Sequence, residues 1–332
     1  MADPDICVVV PSHDRPRLLG RLLDALAAQR LRRARWEAVV VHDCGPDGTE
    51  GLLREHPLTA AGVLRHHSLP PGTGTAARMR NVGWRTARGG FVAFTDDDCR
   101  PDPGWVGAAL AVAAEHPWTI VQGRTEPDAV DTSLPRRGSL RRTMRIAPPT
   151  KESETCNMVY PRDLLEALDG FDERFRHAGE DVDLAYRAKA AGAGHLAAPD
   201  LVVRHATEYP RLRERLRDTR KSAELAEVVR RHPDYRYAAY HPLGLFAKPI
   251  HARLVLAAAG LAAAPRHPAA ALLTLPYAQF LHAHLRQRPE RRLRRAGALC
   301  PGSSGRWPPG SARPACATAK CSGAWQCRRR MP

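Results

Sequence analysis

Residues 91–98 read Phe-Val-Ala-Phe-Thr-Asp-Asp-Asp, an apolar run that ends abruptly in three aspartates. The run is short and follows Gly89-Gly90, a pattern typical of a strand buried inside a sheet. Three adjacent carboxylates at a strand end repel one another, so a positive group must offset their charge. Mg²⁺ and Mn²⁺ suit carboxylate oxygens and also bridge phosphates. A solvated acidic turn is the alternative explanation for an isolated Asp-Asp-Asp.

The segments before this strand predict an α/β fold. Residues 6–11 (Ile-Cys-Val-Val-Val-Pro) and 37–42 (Glu-Ala-Val-Val-Val-His) are apolar runs of the same kind, and a helical pattern follows each of them. Asp14 stands where a helix N-cap is expected, just before Pro16. Alternation of strands and helices indicates a parallel sheet with right-handed crossovers.

The carboxyl ends of these strands carry the polar residues. In open α/β sheets, ligands bind beyond the carboxyl ends of the strands. Residues 11–14, Asp43 and residues 96–98 all follow directly on predicted strands. We therefore expect them to converge on one ligand site.

The pattern after residue 98 is a mixture of strands, helices and one long loop. Residues 126–153 are rich in Pro, Arg, Ser and Asp and predict a mobile loop. Helices are predicted over 105–115, 164–168 and 180–191, and strands over 120–123, 157–160 and 201–203.

The last third of the chain predicts a helical extension and a basic tail. Residues 211–231 form a basic amphipathic pattern, and apolar stretches follow at 254–264 and 269–281. Each stretch is shorter than the roughly 20 residues that span a bilayer. Two packed helices or a hairpin lying on a membrane surface both fit this pattern.

The net charge of +16 comes largely from the tail. Residues 286–332 hold twelve basic side chains and one acid, and we expect them to be disordered low-complexity sequence. A nucleic-acid function would rest on this tail, so no nucleic-acid partner is expected for the body of the chain. The apolar fraction of 43% excludes collagen and wholesale disorder. The acidic N-terminus lacks a signal-peptide pattern, so a cytoplasmic location is expected.

Five segments, taken together, resemble the inverting glycosyltransferases of family 2. In chain order they are residues 6–15 (ICVVVPSHDR), 39–45 (VVVHDCG), 77–90 (ARMRNVGWRTARGG), 91–98 (FVAFTDDD) and 170–187 (GFDERFRHAGEDVDLAYR). The likeness covers residues 5–210 and implies an α/β fold of the GT-A type with a mixed central sheet. In that fold a Rossmann-like nucleotide-sugar half, about residues 1–123 here, is fused to an acceptor half, about residues 124–210. The helical extension would then occupy residues 211–285.

The resemblance implies that a nucleotide-diphosphate sugar, expected to be a UDP-sugar, binds at the strand ends. Asp14 and Asp43 would contact the base or ribose, and Arg78 would lie beside the diphosphate, although a plain helix-surface position fits Arg78 equally well. The implied contacts to the nucleotide sugar are Pro11, Ser12, Asp14, Asp43, Arg78, Asn81, Asp96 and Asp97.

The family's D-x-D motif corresponds to Asp96 and Asp98 in this sequence. The resemblance implies a divalent cation, Mg²⁺ or Mn²⁺, with Asp98 as its first ligand and Asp96 nearer the ribose. His205 resembles a late histidine that serves some members as a further ligand, although a surface role is the alternative.

Glu180-Asp181 at a helix start corresponds to the family's E-D motif. An inverting transfer needs a base that takes the proton of the acceptor hydroxyl as it attacks. Asp181 is the implied base, with Glu180 as a helper or acceptor contact, and Asp183 is expected to be solvated or capping. Both acids could instead only complement the helix dipole. Asn157 is a candidate acceptor contact or a strand-lining residue.

The sequence therefore predicts a metal-dependent inverting glycosyltransferase. Its acceptor would be a hydroxyl on a glycan, a lipid-linked molecule or a small molecule, handled in the cytoplasm or at the cytoplasmic membrane face. A nucleotidyltransferase of similar fold is the first alternative, but it would need a Gly-rich basic loop where residues 11–15 read Pro-Ser-His-Asp-Arg. A nucleic-acid-binding protein acting through the tail is the second alternative.

Overall fold

The computed structural model describes residues 3–128, 142–209, 213, 224–239 and 249–286. Two compact units divide the chain, the first from Met1 to Ala258 and the second from Ala259 to Pro332. The first unit contains the sheet and every residue that the sequence proposes for a site.

The first unit opens with alternating strands and helices, as predicted. A short 3-10 helix, Arg33–Arg35, precedes the second strand. The elements in chain order are β1 (Ile6–Ser12), α1 (Pro16–Ala27), β2 (Trp36–His42), α2 (Thr49–Glu55), α3 (Pro57–Ala60), β3 (Leu64–Ser68), α4 (Ala76–Thr86), β4 (Phe91–Thr95), β5 (Cys99–Pro101) and α5 (Trp105–Glu115).

The remaining strands come before residue 206, and helices follow them. These elements are β6 (Thr119–Pro127), β7 (Asn157–Pro161), α6 (Arg162–Ala167), α7 (Glu180–Ala190), β8 (Gly194–His205), α8 (Leu225–Arg231), α9 (Pro233–Ala239), α10 (Pro249–Ala263), a 3-10 helix (Pro268–Thr274) and α11 (Leu275–Arg286). The predicted C-terminal helices are thus present among the described residues.

One mixed eight-stranded sheet runs through the first unit in the order β3-β2-β1-β4-β7-β6-β8-β5. The four strands from β3 to β4 are parallel, because helices carry the chain back between them. Strand β7 then pairs antiparallel with both β4 and β6, and β8 runs parallel to β6. The fold class predicted from the sequence is confirmed.

The strand register brings distant acids and histidines to one edge of the sheet. Strands β1 and β2 end side by side, with Ser12 opposite His42. Strand β4 pairs with β1, so residues 96–98 follow at the same edge. Strand β5 pairs antiparallel with β8 and places His205 opposite Cys99, the residue after Asp98.

Apolar helices cover both faces of this sheet. The buried leucines of α1 pack on one face, and Ala77 and Trp84 of α4 pack on the other. Helix α4 lies very close to β1, since a Cβ on Gly83 would come within 2.4 Å of Val9. The close approach fixes α4, which carries the residues discussed below, against the central strands.

Two local predictions differ from the structure. Asp14 does not cap α1, because its backbone is left-handed (φ 50°) and Arg15 occupies the cap position without a side-chain bond. Strands β3 and β5 were not predicted, since the Arg and His residues of β3 and the three-residue length of β5 hide the strand pattern.

The predicted loop of residues 126–153 lies partly outside the described residues. Its described end is anchored, because Ile146 is buried and exchanges two backbone hydrogen bonds with Thr125 at 2.8 and 3.1 Å. The predicted helix over 211–231 also falls largely outside them, apart from α8. The predicted tail, residues 286–332, lies outside them except for Arg286, which ends α11.

The compact unit continues beyond residue 210, where the sequence placed a domain boundary. Val228 of α8 is fully buried against Phe175 and Val182. Asp183 of α7 is buried as well, and its carboxylate contacts Arg187 at 2.7 Å and His232 at 3.0 Å. Of the two expectations for Asp183, solvated or capping, the solvated one is therefore wrong, because the segment after residue 223 covers it.

The second unit is helical over its described part. Large apolar side chains are exposed here, including Leu261 and Leu272, each 64% exposed. Among the described residues no helix is both long and apolar enough to cross a bilayer.

Candidate active site

An open cleft of about 420 Å³ lies at the carboxyl ends of β1 and β4, and we call it the strand-end cleft. A groove of about 540 Å³ lies near the amino ends of these strands, and residues 96–98 do not line it. The strand-end cleft is lined by Pro11, Ser12, His13, Arg15, Gly74, Thr75, Ala76, Met79, Arg80, Asp96, Asp97, Asp98 and Arg176. The cleft brings together Pro11, Ser12 and residues 96–98 of the predicted set, whereas Asp14 and Asp43 do not line it.

Asp97 ties the ends of β1 and β4 together. Its carboxylate accepts hydrogen bonds from the Ser12 hydroxyl at 3.0 Å and from the His13 backbone N–H at 3.3 Å. Burial raises the pKa of Asp97 to about 7, together with the charges of Asp98 and Asp96, against the opposing effect of Arg15. The three adjacent aspartates therefore do not all carry a full charge at neutral pH.

Asp98 and His205 form a pair of ligand-type groups. Asp98 Oδ1 lies 3.5 Å from His205 Nε2, and Asp98 Oδ2 accepts from Arg15 at 2.8 Å. His205 Nδ1 lies 2.8 Å from the Ala206 carbonyl oxygen, which fits a proton on Nδ1. That tautomer leaves the Nε2 lone pair facing the carboxylate, and a backbone carbonyl orients metal-binding histidines in the same way.

Asp96 stands apart from this pair. Among the described residues, the one group of three ligand-type atoms within 4.8 Å of each other is Asp14, Cys44 and Asp47. Asp96 therefore does not join Asp98 and His205 at ligand distance, and its carboxylate accepts instead from Arg80 at 2.8 Å.

Arg80 connects the two acidic stretches of the chain. Its guanidinium donates to Asp96 at 2.8 Å and to Glu180 at 2.9 Å, and its side chain is only 6% exposed. The same group lies 5.7 Å from the centre of the Phe171 ring. One buried cation thus brings the strand-end acids of β4 and the first turn of α7 into a single cluster.

Asp181 follows Glu180 at the start of α7. Burial raises the pKa of Asp181 well above its ordinary range, and the neighbouring Glu180 carboxylate adds to this effect while Arg80 opposes it. Glu154, on the chain before β7, contributes repulsion from the other side. A carboxylate with a raised pKa accepts protons more readily than an ordinary aspartate.

Asp43 orients the loop after β1. Its fully buried carboxylate contacts His13 Nδ1 at 2.6 Å and accepts from the Gly74 backbone N–H at 2.9 Å. Contact with Asp43 raises the pKa of His13, against the effect of partial burial. Asp14 is exposed beside this pair. His13 and Gly74 line the cleft, whereas Asp43 and Asp14 stand behind and beside it.

Asn81 and Asn157 do not reach the strand-end cleft. Asn81 is buried and its amide makes four hydrogen bonds, two of them with the backbone of Phe171. Asn157 is fully buried and its amide makes three, to Trp105 and to two backbone carbonyls. Because the amide atoms of both residues already have hydrogen-bond partners inside the protein, we assign neither residue to a ligand.

Arg78 also points elsewhere, since its guanidinium contacts the Thr73 carbonyl at 3.3 Å. Three arginines line the cleft, Arg15, Arg80 and Arg176, and none of them was predicted as a site residue. The sequence does contain a pattern that could have identified Arg80. Arg80 comes three residues after Ala77 and four before Trp84, so it lies on the buried face of α4. An arginine on such a face needs internal partners.

Comparison with known proteins identifies the family. The family described as "Glycosyltransferase like family 2" matches residues 4–232, and the chain belongs to it. The family predicted from the five sequence segments is therefore confirmed.

Individual relatives show where the likeness extends and where it stops. The chain is 31% identical over 252 residues to the pre-mycofactocin glycosyltransferase of Mycobacterium tuberculosis, a match that covers 69% of this chain and 48% of that protein. The chain thus spans about half the length of this relative.

Two solved structures share the fold. One is the mannosyltransferase PcManGT from Pyrobaculum calidifontis in complex with GDP-Man and Mn²⁺, with a TM-score of 0.58, 24% identity and coverage of 90% of this chain and 85% of that one. The other is Staphylococcus aureus TarS 1-349 in complex with UDP-GlcNAc, with a TM-score of 0.52, 20% identity and coverage of 77% and 80%.

Proposed function

We propose that the protein is an inverting glycosyltransferase that moves a sugar from a nucleotide-diphosphate donor to an acceptor hydroxyl. The observation that carries the proposal is the Arg80 bridge, which joins Asp96 at the strand ends to Glu180 at the start of α7. Acids from distant parts of the chain are therefore held together through Arg80, which itself lines the strand-end cleft. Family membership supports the reaction class.

Asp181 would act as the general base. Its raised pKa suits removal of a proton from the acceptor hydroxyl as the oxygen attacks the anomeric carbon. The buried Arg80 holds Glu180 in place through a direct hydrogen bond and makes none with Asp181 among the described contacts. Glu180 would then be the acid beside the base that contacts the acceptor.

The donor diphosphate would lie against Ser12, the strand-end acids and the cleft arginines. Asp98 and His205 fit a divalent cation, because they offer a carboxylate oxygen and an oriented imidazole nitrogen facing each other. Mg²⁺ and Mn²⁺ need few protein ligands when phosphates supply the others. A bound cation would stabilise the negative charge that develops on the departing nucleoside diphosphate. Arg15 and Arg176 would contribute fixed positive charge to the same end.

A UDP-sugar is our first choice of donor, and a GDP-sugar is the second. The fold relatives bind UDP-GlcNAc in one case and GDP-Man with Mn²⁺ in the other. A panel of nucleotide sugars with Mn²⁺, assayed for hydrolysis and for transfer, tests the proposal. Turnover of at least one donor supports it, whereas no turnover together with no nucleotide binding contradicts it.

We expect the activity to fall on the acidic side at a higher pH than an ordinary aspartate would give. The pKa of Asp181 is raised, so the base is protonated and inactive below that value and becomes active as the pH rises through it. The pKa of a free aspartate is about 3.9. The measurement is kcat/KM against pH for the wild type. A profile that stays flat down to that ordinary value would contradict the assignment.

We further propose that the acceptor is handled at a membrane surface. Leucine and valine side chains at positions 254–256, 261, 272, 273, 275 and 281 are 42–64% exposed. Residues 249–286 contain three arginines and no acid. Exposed apolar side chains with basic neighbours are typical of segments that bind anionic lipid. A lipid-linked hydroxyl is the acceptor class that fits such a location best.

Vesicle sedimentation checks this membrane proposal. We expect the wild type to bind anionic vesicles and the triple variant Leu272→Ser, Leu273→Ser, Leu281→Ser to lose most of that binding. Trp118→Ser is the matched control, because Trp118 is 41% exposed in the first unit and far along the sequence from the segment. Equal sedimentation of wild type and triple variant would overturn the proposal.

A further inference from the structure

The loop before α7 is held by a carboxylate from a different part of the chain. Three successive backbone N–H groups, those of Arg176, His177 and Ala178, donate to Oε2 of Glu224 at 2.9, 2.8 and 3.2 Å. Oε1 of the same carboxylate lies 2.7 Å from His177 Nδ1. Glu224 immediately precedes α8.

Successive backbone N–H groups that converge on one point form an anion-binding concavity, and bonds from them to a carboxylate are charge-assisted. Partial burial alone would raise the pKa of Glu224, but the bonds from His177 and the loop N–H groups outweigh it and lower the pKa. The Glu224 carboxylate is therefore charged and firmly held at neutral pH.

Apolar contacts reinforce the same junction. Gly179 joins the loop to α7 with a left-handed backbone (φ 103°), and a Cβ there would lie 2.6 Å from Val228 of α8. Val228 is fully buried in a small cluster with Phe175 and Val182. The segment that begins at Glu224 thus contacts the loop on one side and the first turns of α7 on the other.

Both ends of this loop reach the proposed reaction centre. The Arg176 side chain lines the strand-end cleft, and Glu180 and Asp181 open α7 one residue after Gly179. An anchor on residues 176–178 therefore fixes a cleft cation and the start of the helix that bears the proposed base. Glu224 was not among the predicted site residues.

We propose that Glu224 is a positioning residue of the proposed transferase, whose carboxylate fills the N–H concavity of residues 176–178 and so aims Arg176 at the donor diphosphate. The inference rests on the proposed function for its kinetic consequence. Its structural consequence is independent of the proposed function, because the state of the loop can be measured without turnover.

The first test is chemical rescue. In Glu224→Ala we expect KM for the nucleotide sugar to rise about tenfold, with a smaller change in kcat, because the loop loses its charged anchor. Added formate, a small carboxylate, should fill the emptied concavity and lower KM again. The matched control is Glu227→Ala. Glu227 lies in α8, and its carboxylate pairs with Arg230 and Arg231. We expect formate to have no effect on this variant.

The second test needs no activity. Hydrogen exchange of the amides of residues 176–178 should be faster in Glu224→Ala than in the wild type, and formate should slow it. If the alanine variant does not fold, Glu224→Gln, which keeps the shape and removes the charge, replaces it in the exchange comparison with the wild type, without formate because the side chain still fills the concavity. Unchanged exchange in these amides, or faster exchange without any response to formate, overturns the proposal. If the wild type is inactive with every donor but the exchange differs between wild type and variant as expected, the proposed function alone is contradicted.

Discussion

Asp181→Asn should reduce kcat by about 10²–10⁴-fold while leaving nucleotide binding unchanged. The amide has nearly the shape of the carboxylate but cannot accept the proton of the acceptor hydroxyl. Asp181 follows Glu180 at the start of α7 and not the strand-end acids of β4, so its loss should not weaken the proposed donor contacts. The measurements are kcat with a saturating donor and the Kd of the nucleoside diphosphate.

Asp163→Asn is the matched control for this variant. Asp163 and Asp181 each occupy the second position of a helix, α6 and α7 respectively, but Asp163 is exposed. If Asp181 only complemented a helix dipole, the two variants would behave alike, with a small loss of stability of about 0.3–1 kcal/mol. Equal activity of both variants and the wild type would therefore remove Asp181 as the base.

Arg80→Gln should lower both stability and activity. The change leaves the carboxylates of Asp96 and Glu180 without their shared cation, and removing one partner of a buried ion pair costs about 3–5 kcal/mol. The two acids should then repel each other, so that nucleotide-sugar turnover falls in the folded fraction as well. Thermal unfolding and kinetics below the melting temperature separate the two effects.

Arg78→Gln, two residues earlier on α4, is the control for this charge removal. Arg78 is half-buried and contacts one backbone carbonyl, so we expect stability and donor KM close to those of the wild type. The sequence resemblance implied the opposite, with Arg78 beside the diphosphate. A large rise in donor KM for Arg78→Gln, together with unchanged stability and KM for Arg80→Gln, would place Arg78 and not Arg80 at the diphosphate, as the resemblance implies.

The sheet could be predicted because its strands leave clear local patterns. Strands β1, β2 and β4 are continuous apolar runs followed by polar residues, and this pattern alone places their ends at one edge. The pairing of β5 with β8, which brings His205 to Asp98, joins residues about a hundred positions apart and has no local pattern.

Which polar residues face the cleft could not be predicted in the same way. Asn81 lies within a segment that resembles the family and Asn157 begins β7, yet both amides are saturated by interior partners. Arg80 looked like one of several helix arginines, because its two partners come from segments 16 and 100 residues away. Side-chain partners of this kind depend on tertiary packing, which spacing along the chain does not record.

A thermal-shift titration with nucleoside diphosphates, with and without Mn²⁺, tests most directly whether the strand-end cleft binds a cation and a diphosphate together. Ligands that bind the native state raise the melting temperature. We expect UDP or GDP to stabilise the wild type in the presence of Mn²⁺ and to lose most of that effect in Asp98→Asn, while Asp163→Asn behaves as the wild type does. If no nucleoside diphosphate shifts the melting temperature under either condition, the cleft does not bind the donor and the account fails.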